Sequence, residues 1–331
     1  MDIVEQLTAR AAADQKHIVL AEGHDRRVVR AARRAAADGI ARITLLGNRN
    51  AITALAGAEG LSGDIKIVDP DGSPAIADYA EIYGSLLKRS NIAEETAIRA
   101  ACKPLNFAHL MVRAGDADGA LAGASHSSAQ VIRSAKQIIG QQKDQKLLSS
   151  FFLMVLDRYE SNQQRVMAFA DCALVENPDA DELAHIASAT AHSFQNLLSI
   201  DAKVALLSFA TGVHNSPAVQ KVMQAGLKLQ QMRPAMSITS PIQFDAAFLP
   251  EVAAQKTPNS RVAGQANIFV FPDLNAGNIG YKICERVGQA VSLGPILQGF
   301  AKPVNDLSRG CSENDILAMI AITALQAQAV E

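Results

Sequence analysis

Short apolar runs alternate along the first part of the chain with amphipathic, alanine-rich segments. The segment DRRVVRAARRAAADGI (25–40) predicts a helix with Gly39 at its C-cap. The apolar runs around it predict buried strands: HIVLAEG (17–23), ARITLLGN (41–48) and GDIKIVDP (63–70). A strand–helix–strand order is typical of a parallel sheet covered by helices on both faces. The pattern therefore predicts an α/β fold.

The same alternation resumes after a polar stretch, QQKDQKL (141–147), which we take as a domain boundary. Helices are predicted near 180–197 and 217–228, and the final segment, 313–330, has the i, i+3, i+4 apolar spacing of a helix that docks on a sheet. The apolar runs between them predict further strands: SSFFLMVLD (149–157), RVMAFADC (165–172), AKVALLSFA (202–210) and ANIFVFPD (266–273). A second α/β domain is therefore predicted.

Composition narrows the class of protein. The 331 residues are 49% hydrophobic and 19% charged, with a net charge of −2, which is typical of a globular protein. Nucleic-acid binding is disfavoured because the chain has no basic block, no tryptophan and only 5% aromatic residues. The N-terminal segment lacks the apolar core of a secretory signal, and no window reaches the ~18 apolar residues of a membrane span.

The cysteines point to a reducing compartment. Cys102, Cys172, Cys284 and Cys311 are scattered, with no CxxC pair and no histidine at metal-ligand spacing. We expect free thiols in a soluble cytoplasmic protein, without a metal site and without a nucleic-acid or membrane partner.

Ligands of parallel α/β sheets bind outside the carboxyl ends of the strands, so polar loops that follow strands are candidate sites. In the first, GASHSSAQVIR (123–133), Ser127 and Ser128 open a helix that carries Arg133. Its N–H groups can face an anion; alternatively, the loop has an N-cap serine and a surface arginine. His126 is expected to form structural hydrogen bonds rather than act as a base, because no Asp lies near it in sequence.

The second polar loop is FPDLNAGNIGYK (271–282), with Asn275, Asn278, Tyr281 and Lys282 around two glycines. The GNIG spacing does not match a dinucleotide fingerprint. A strand-to-helix turn with Asx capping explains the asparagines, but not the lysine and tyrosine together.

The third stretch, KPVNDLSRGCSENDI (302–316), places Ser308 and Arg309 before a glycine. Ser312 and Asp315 have the spacing of a capping box, which predicts that a helix starts there. The preceding turn, GPILQGFAKPVND (294–306), contributes Gln298. Neither cap nor turn explains why Ser308 and Arg309 stand together.

Four long motifs carry a resemblance to a known family: FPDLNAGNIGYKICER (271–286), GPILQGFAKPVNDLSRGCSENDI (294–316), GDADGALAGASHSSAQVIRSAKQII (115–139) and PIQFDAAFLPEVAAQK (241–256). Together they make the chain similar to the phosphate acetyltransferase (phosphotransacetylase) family over nearly its whole length. The resemblance implies a cytoplasmic, homodimeric acyltransferase for acetyl-CoA + phosphate = acetyl phosphate + CoA. CoA would be a substrate, and no cofactor or metal would be permanently bound.

The resemblance also implies an architecture. Two α/β domains with mainly parallel sheets, similar to isocitrate and isopropylmalate dehydrogenases, would form an active-site cleft between them. The first domain would comprise 1–146 and 300–331, and the second, 147–299, would be inserted in it.

Site residues follow from the motifs by resemblance. Asp315 would take the CoA thiol proton, Ser308 would stabilise the thiolate or the tetrahedral intermediate, and Arg309 with Arg133 would hold the phosphate. Further substrate contacts would come from residues of the three polar loops and the turn: Ser127, Ser128, Asn275, Asn278, Tyr281, Lys282 and Gln298. Two segments depart from the family pattern: LLKRSN, where Leu87 replaces the usual arginine, and Ala210–Ser216.

The sequence leaves other functions and one other mechanism open. One alternative is a phosphate butyryltransferase or another short-chain transferase. Its acyl group is longer by one or two methylenes, and an apolar pocket discriminates such a difference by only ~1–3 kcal/mol. A ping-pong route through Cys311 is less favoured than direct transfer, because CoA itself brings the thiol. A decarboxylating dehydrogenase would need a carboxylate cluster and a nucleotide loop, neither of which the sequence contains. A non-catalytic regulatory domain is disfavoured because Ser308, Arg309 and Asp315 are all present.

Overall fold

A computed structural model describes residues 2–57, 60–61, 65–87, 93–157 and 164–329. The chain folds into two compact units. The first, unit 1, is built from Met1–Gln142 and Phe300–Glu331, and the second, unit 2, from Lys143–Gly299.

Unit 1 contains a five-stranded, wholly parallel sheet in the order β11-β4-β1-β2-β3. Its strands are β1 His17–Leu20, β2 Arg42–Leu46, β3 Ile65–Val68, β4 Gly119–Ala122 and β11 Val304–Asp306. Its helices are α1 Ile3–Ala12, α2 Arg26–Ala37, α3 Arg49–Ala56, α4 Ile76–Leu86, α5 Glu94–Ala101, α6 Pro104–Ala114, α7 Ser128–Ile138 and α13 Glu313–Gln328.

The last helix, α13, is central to unit 1. It begins at a capping box, in which Ser312 and Asp315 bond each other's backbone N–H groups, and this confirms the predicted helix start. Its alanines, leucines and isoleucines are buried against α1, α2, β1 and β4. The Asn305 amide on β11 donates to the Thr323 hydroxyl on α13 at 2.9 Å. This bond fixes the end of β11 against the helix.

Unit 2 contains a six-stranded mixed sheet in the order β10-β5-β6-β9-β7-β8. β5 runs antiparallel to both β10 and β6, and the remaining pairs are parallel. The strands are β5 Ser149–Leu156, β6 Arg165–Ala170, β7 Lys203–Leu207, β8 Ser237–Ile242, β9 Ile268–Val270 and β10 Val291–Gln298. The helices are α8 Ala180–Leu198, α9 Pro217–Met232, α10 Phe244–Phe248, α11 Pro250–Lys256 and α12 Leu274–Arg286.

The α/β class with mainly parallel sheets is confirmed. One element differs from the sequence analysis: the residues read as a loop at 271–282 belong mostly to α12, which Asp273 caps through the Ala276 N–H. The asparagines therefore lie inside the helix and do not cap it. Across the described ranges, no helix has the length and apolar character to cross a membrane.

Candidate active site

The carboxyl ends of three neighbouring strands, β1, β4 and β11, meet at one edge of the unit 1 sheet. The order β11-β4-β1 and the parallel registers bring together the segments that follow these strands. These segments are 21–27, 123–128 and 307–315. Two of the three polar loops predicted from the sequence therefore share one site, as expected for ligand binding to parallel sheets.

Glu22, directly after β1, organises the first loop. Its carboxylate accepts backbone N–H groups of Gly123, Ala124, Ser125 and His126 at 3.0, 2.7, 2.9 and 2.8 Å. The Ser125 hydroxyl and the His126 Nδ1 lie 2.9 and 2.7 Å from the same oxygen, Oε1. Burial opposes ionisation, but the bonds from His126 and Ser125 outweigh it and lower the Glu22 pKa to about 2.

This arrangement corrects the expectation that the loop N–H groups face an external anion. They face an anion, but it is the protein's own Glu22 side chain, which is 1% exposed. Ser127 is likewise engaged, because its hydroxyl forms the capping box of α7 with Gln130. His126 has the structural hydrogen bond favoured by the sequence. Ser128 stays exposed at the first position of α7.

Arg133 lies on the same helix, five residues after Ser128 and therefore about 7.5 Å further along its axis. Its side chain is exposed. Within the described residues, no hydrogen bond or ion pair holds its guanidinium. It is therefore available to an anionic ligand.

The loop after β11 exposes Ser308 and Arg309. The Cys311 N–H donates to the Ser308 carbonyl at 2.9 Å, and the Gly310 N–H to the Ser308 hydroxyl at 3.3 Å, so the loop is a tight turn. Among the residues that the structure describes, no partner engages the Arg309 guanidinium. An exposed hydroxyl and an exposed guanidinium thus stand side by side at the strand ends.

Arg27 holds this turn in place. Its guanidinium donates to the carbonyls of Arg309 at 2.9 Å, Cys311 at 2.8 Å and Ala124 at 2.9 Å. It also pairs with Asp25 at 2.7 Å. One arginine therefore ties the segments after β1, β4 and β11 together. Arg27 was not predicted as a site residue, and its position just after the first strand is the one sequence signal for this role.

Asp315 lies at the third position of α13 and is half-buried. Its Oδ2 accepts the Ser312 N–H at 2.8 Å, and its own N–H donates to the Ser312 hydroxyl at 3.2 Å. Oδ1 has no hydrogen bond from any described residue. One carboxylate oxygen therefore caps the helix while the other is open to a ligand.

Cys311 lies in the same turn but is only 7% exposed. Burial raises its pKa to about 11, although the neighbouring Arg27 lowers it in part. The thiol is therefore protonated at neutral pH, which disfavours the ping-pong route.

Asp306, the last residue of β11, was not singled out from the sequence. It is fully buried, and neither carboxylate oxygen accepts a hydrogen bond from the residues that the structure describes. Burial, followed by the charge of Glu22, raises its pKa to about 7, although the nearby Ser128 hydroxyl and Leu307 N–H favour the ionised form. The Leu307 N–H also donates to the Ala122 carbonyl at 2.7 Å.

The remaining expected site residues lie in unit 2. On α12, Asn275 and Lys282 are exposed, and the Lys282 ammonium bonds the Asn278 side chain at 2.9 Å. The Asn278 amide donates to the Cys172 carbonyl at 2.9 Å. The Tyr281 ring stacks on Phe152, with 4.2 Å between ring centroids. Lys282 and Asn275 therefore remain open to a ligand, whereas Tyr281 and Asn278 also have packing roles.

Gln298 requires a correction. Its side chain is 6% exposed and is used inside unit 2. Its amide donates to the Thr190 and Ser149 hydroxyls at 3.0 and 3.2 Å, and its oxygen accepts the Ser193 hydroxyl at 2.9 Å. A buried amide with these partners stabilises the fold, so we withdraw Gln298 from the substrate-binding set.

The two segments that depart from the family pattern are described to different extents. Leu87 is the C-cap residue of α4, while 88–91 lie outside the described residues. In Ala210–Ser216, the Thr211 hydroxyl accepts the Gln243 N–H at 3.0 Å, and the His214 ring accepts the Ser216 N–H at 3.0 Å. In the described part of the chain, no group of three or more His, Cys, Asp or Glu residues could hold a metal.

Fold and site together define a two-unit α/β protein with a cationic, hydroxyl-bearing cluster at the strand ends of one unit. The sequence profile described as "Phosphate acetyl/butaryl transferase" matches residues 2–324. The chain belongs to this family of acyltransferases, which confirms the family and the enzyme class inferred from the motifs.

Relatives support the assignment along the full length. The phosphate acetyltransferase of Acetivibrio thermocellus is 44% identical over 332 residues, covering 100% of both chains. That of Clostridium acetobutylicum is 41% identical, covering 99% of both. The crystal structure of a phosphotransacetylase from Streptococcus pyogenes superposes with a TM-score of 0.90 at 40% identity, covering 99% of this chain and 98% of the other.

More distant structures share the fold alone. A branched-chain phosphotransacylase from Enterococcus faecalis has a TM-score of 0.67 at 18% identity. A 4-hydroxythreonine-4-phosphate dehydrogenase from Klebsiella pneumoniae has a TM-score of 0.51 at 10% identity. The second match agrees with the expected likeness to dehydrogenases.

Proposed function

We propose that this protein is a phosphate acetyltransferase that moves an acetyl group reversibly between CoA and phosphate. The observation that carries the proposal is the exposed Ser308–Arg309 pair, held by Arg27 at the strand ends beside the start of α13. Butyryl transfer is not favoured, because the full-length relatives at 41–44% identity are phosphate acetyltransferases.

We assign direct transfer in a ternary complex. The open oxygen of Asp315 takes the CoA thiol proton while the sulfur attacks the acetyl carbonyl of acetyl phosphate. The carbon–sulfur bond forms, the carbon–oxygen bond to phosphate breaks, and phosphate leaves with its electron pair. General base catalysis of this kind contributes about 10²–10⁴ in rate.

Ser308 and the arginines handle negative charge in this scheme. The Ser308 hydroxyl donates to the oxyanion of the tetrahedral intermediate, where one such donor is worth on the order of 3 kcal/mol. The guanidinium groups of Arg309 and Arg133 hold the phosphate, because each guanidinium can donate two parallel hydrogen bonds to two phosphate oxygens. Arg27 acts through the backbone, since it fixes the turn that carries Arg309.

Other residues are proposed as substrate contacts. Ser128 is assigned to the phosphate end, because the residue is exposed at the start of α7. Asn275, Asn278, Tyr281 and Lys282 on α12 are assigned to CoA, whose phosphates suit the ammonium group. Ser127 does not contact the substrate in this proposal and instead stabilises the start of α7 as its N-cap.

Asp315→Asn tests the base directly. We expect kcat to fall about 10²–10⁴-fold in acetyl phosphate-dependent formation of acetyl-CoA, followed by thioester absorbance. Glu313→Gln is the matched control, because Glu313 lies in the same helical turn but pairs with Arg34 at 3.3 Å. Undiminished turnover in a folded Asp315→Asn protein would remove the assigned base.

Two experiments separate the nearest alternatives. Turnover with acetyl-, propionyl- and butyryl-CoA should be highest for acetyl-CoA, and a preference for butyryl-CoA would reassign the substrate. Cys311→Ala should retain most turnover if transfer is direct, whereas near-complete loss with normal folding would favour an acetyl-cysteine intermediate.

We further propose a homodimer in the cytoplasm. An apolar stripe at i, i+4, i+8 spacing is exposed along α12 and its C-cap residue: Ile279 at 57%, Ile283 at 56% and Val287 at 78%. The four cysteines, all free thiols, support the proposed compartment. Sedimentation should give a dimer that Ile283→Lys dissociates, and a monomeric parent protein would contradict the assignment.

A further inference from the structure

The proposed mechanism leaves one group at the site unused: the Asp306 carboxyl. Asp306 pairs in register with Ala122 at the end of β11, so it lies beneath the loop that opens with Gly123. The approach is so close that a Cβ on Gly123 would collide with Asp306 Oδ1. The side chain is fully buried, and among the residues that the structure describes neither oxygen accepts a hydrogen bond. Buried carboxyl groups are normally satisfied, so an unpartnered one at a ligand site calls for a functional reason.

The charges around Asp306 favour its neutral form. Burial is the largest effect, and the ionised Glu22, fixed by its own donors, adds to it, so that the Asp306 pKa is about 7. Several titratable and charged groups lie on the elements around β11. They are Glu22, His24, Asp25, Arg26 and Arg27 after β1, His126 after β4, Arg133 and Lys136 on α7, Glu313 and Asp315 on α13, and Arg309 and Cys311 in its own loop. Of these, Glu22 is the residue whose charge raises the proton affinity of Asp306.

Ser128 connects this buried group to the exposed site. Its hydroxyl lies near the Asp306 carboxyl, while the residue itself is exposed at the start of α7. A hydroxyl has one donor and two acceptor positions. If Asp306 is ionised, the Ser128 hydrogen points inward to it. If Asp306 is protonated, it can donate to Ser128 Oγ, and the Ser128 hydrogen is released to bond a ligand.

We propose that binding of a tetrahedral dianion at Arg309 and Ser128 is coupled to uptake of a proton by Asp306. The dianion brings further negative charge to the site, which repels an ionised Asp306 and favours a neutral one. Because linkage is reciprocal, protonation of Asp306 must then strengthen anion binding. Asp306 is thus a positioning residue that acts through Ser128. This inference rests on the proposed function in that the anion is taken to be the phosphate of acetyl phosphate.

Sulfate is the probe for the test, because it keeps its double charge across neutral pH while phosphate does not. Its dissociation constant can be obtained without any assay of turnover, from the stabilisation of the protein against unfolding at increasing sulfate concentration. Sulfate also stabilises proteins non-specifically, so Arg309→Gln serves as the reference that lacks the specific site. The measurement is made from pH 5.5 to pH 8.5.

For the unaltered protein, sulfate binding should weaken about four- to fivefold between pH 7 and pH 8 and change little below pH 6. Calorimetry at pH 7.5 in two buffers of different ionisation enthalpy should detect the proton taken up on binding. Asp306→Asn should remove both the pH slope and the proton uptake. Ser128→Ala should weaken binding at pH 6 and flatten the slope.

His126→Asn is the matched control, since His126 is an ionisable side chain in the same loop but bonds Glu22 rather than Asp306. It should retain the slope above pH 7. A flat profile in the unaltered protein, an unchanged slope in Asp306→Asn, or full sulfate binding in Arg309→Gln would each overturn the inference. Failure of the proposed function has a different signature, namely sulfate binding with the expected slope but no formation of acetyl-CoA.

Discussion

Two buried carboxyl groups, Glu22 and Asp306, lie at the ends of β1 and β11 in one sheet, separated by a single strand, and they behave in opposite ways. Glu22 is 1% exposed and has a pKa lowered to about 2. Asp306 is fully buried and has a pKa raised to about 7. Burial is common to both, so burial alone does not decide whether a carboxyl group is charged.

Hydrogen-bond donors make the difference. Glu22 has six contacts with donor groups, four from the backbone of 123–126 and two from the Ser125 and His126 side chains. Neither oxygen of Asp306 accepts a hydrogen bond within the described ranges of the chain. Asp171 in unit 2 is intermediate, since burial raises its pKa although Ser150, Ala173 and Leu174 donate to it. A charge in the interior needs enough donors to offset desolvation.

Glu22→Gln should have the largest effect on stability. The amide has one oxygen in place of two and brings an NH₂ group into the donor cluster, so buried N–H groups lose their acceptor. We expect a loss of about 3–5 kcal/mol in the free energy of unfolding, measured by urea denaturation at pH 7. A loss below about 1 kcal/mol would show that the loop N–H groups do not depend on the charge.

Asp306→Asn should raise the free energy of unfolding at high pH, whereas Glu22→Gln lowers it. The folded-state pKa of about 7 lies above the ordinary value of 3.8, so the native protein binds more protons than the unfolded chain between these values. The stability of the parent protein is therefore lost as pH rises from about 4 to 7, by up to about 4 kcal/mol, and stays low above that. The variant lacks this loss.

Urea denaturation of both proteins at pH 5 and pH 8 measures this effect. The difference in the free energy of unfolding between Asp306→Asn and the parent should move in favour of the variant by about 2–3 kcal/mol from pH 5 to pH 8. A difference that does not change with pH would mean that Asp306 has an ordinary pKa. A gain in stability together with loss of the sulfate pH slope would indicate a group retained for function rather than for the fold.

The polar strand ends are predictable from the sequence, but the residues that organise them are not. Loops at 123–133 and 302–316 were found because small, hydroxyl and charged residues follow apolar runs. Ser312 and Asp315 were placed correctly because a capping box is a local pattern. These features depend on neighbours within a few residues along the chain.

Glu22, Arg27 and Asp306 could not be found in this way, because their roles depend on distant partners. Glu22 bonds residues 101–104 positions away, and Arg27 reaches the Cys311 carbonyl 284 positions away. Locally, Glu22 is one acidic residue after a strand and Asp306 another, with no pattern to separate the ionised group from the neutral one. Gln298 was misassigned for the same reason, since its partners in β5 and α8 lie more than a hundred residues upstream.

Arg27→Met tests whether the turn that carries Arg309 must be fixed. The variant loses the bonds to the Arg309, Cys311 and Ala124 carbonyls, which leaves the turn free to move. We expect kcat/KM for acetyl phosphate to fall about 10–100-fold, equivalent to ~1.4–2.7 kcal/mol, because misplacement by about 1 Å is costly. Arg26→Met, which alters the exposed neighbour on α2, is the control. Equal activity in both variants would deny Arg27 this role.

His126→Ala should have the smallest effect, and it tests how the charge on Glu22 is shared among its donors. The variant removes one of six contacts and leaves the four backbone N–H groups and the Ser125 hydroxyl in place. We expect a loss of about 1 kcal/mol in the free energy of unfolding at pH 7, the worth of one hydrogen bond among several.

The same variant also tests the Glu22 pKa, because it leaves this buried carboxylate with one hydrogen-bond donor fewer. Stability from a depressed carboxyl pKa is present above the ordinary value, 4.5, and is lost as pH falls toward the folded-state value of about 2. Without His126 the Glu22 pKa should rise but remain below 4.5, as measured by carbon-13 NMR titration of the carboxyl group. The contrary result would be a loss in the free energy of unfolding as large for His126→Ala as for Glu22→Gln. The histidine alone would then stabilise the charge on Glu22. The backbone donors, which Asp306 lacks, would not explain why the two carboxyl groups differ.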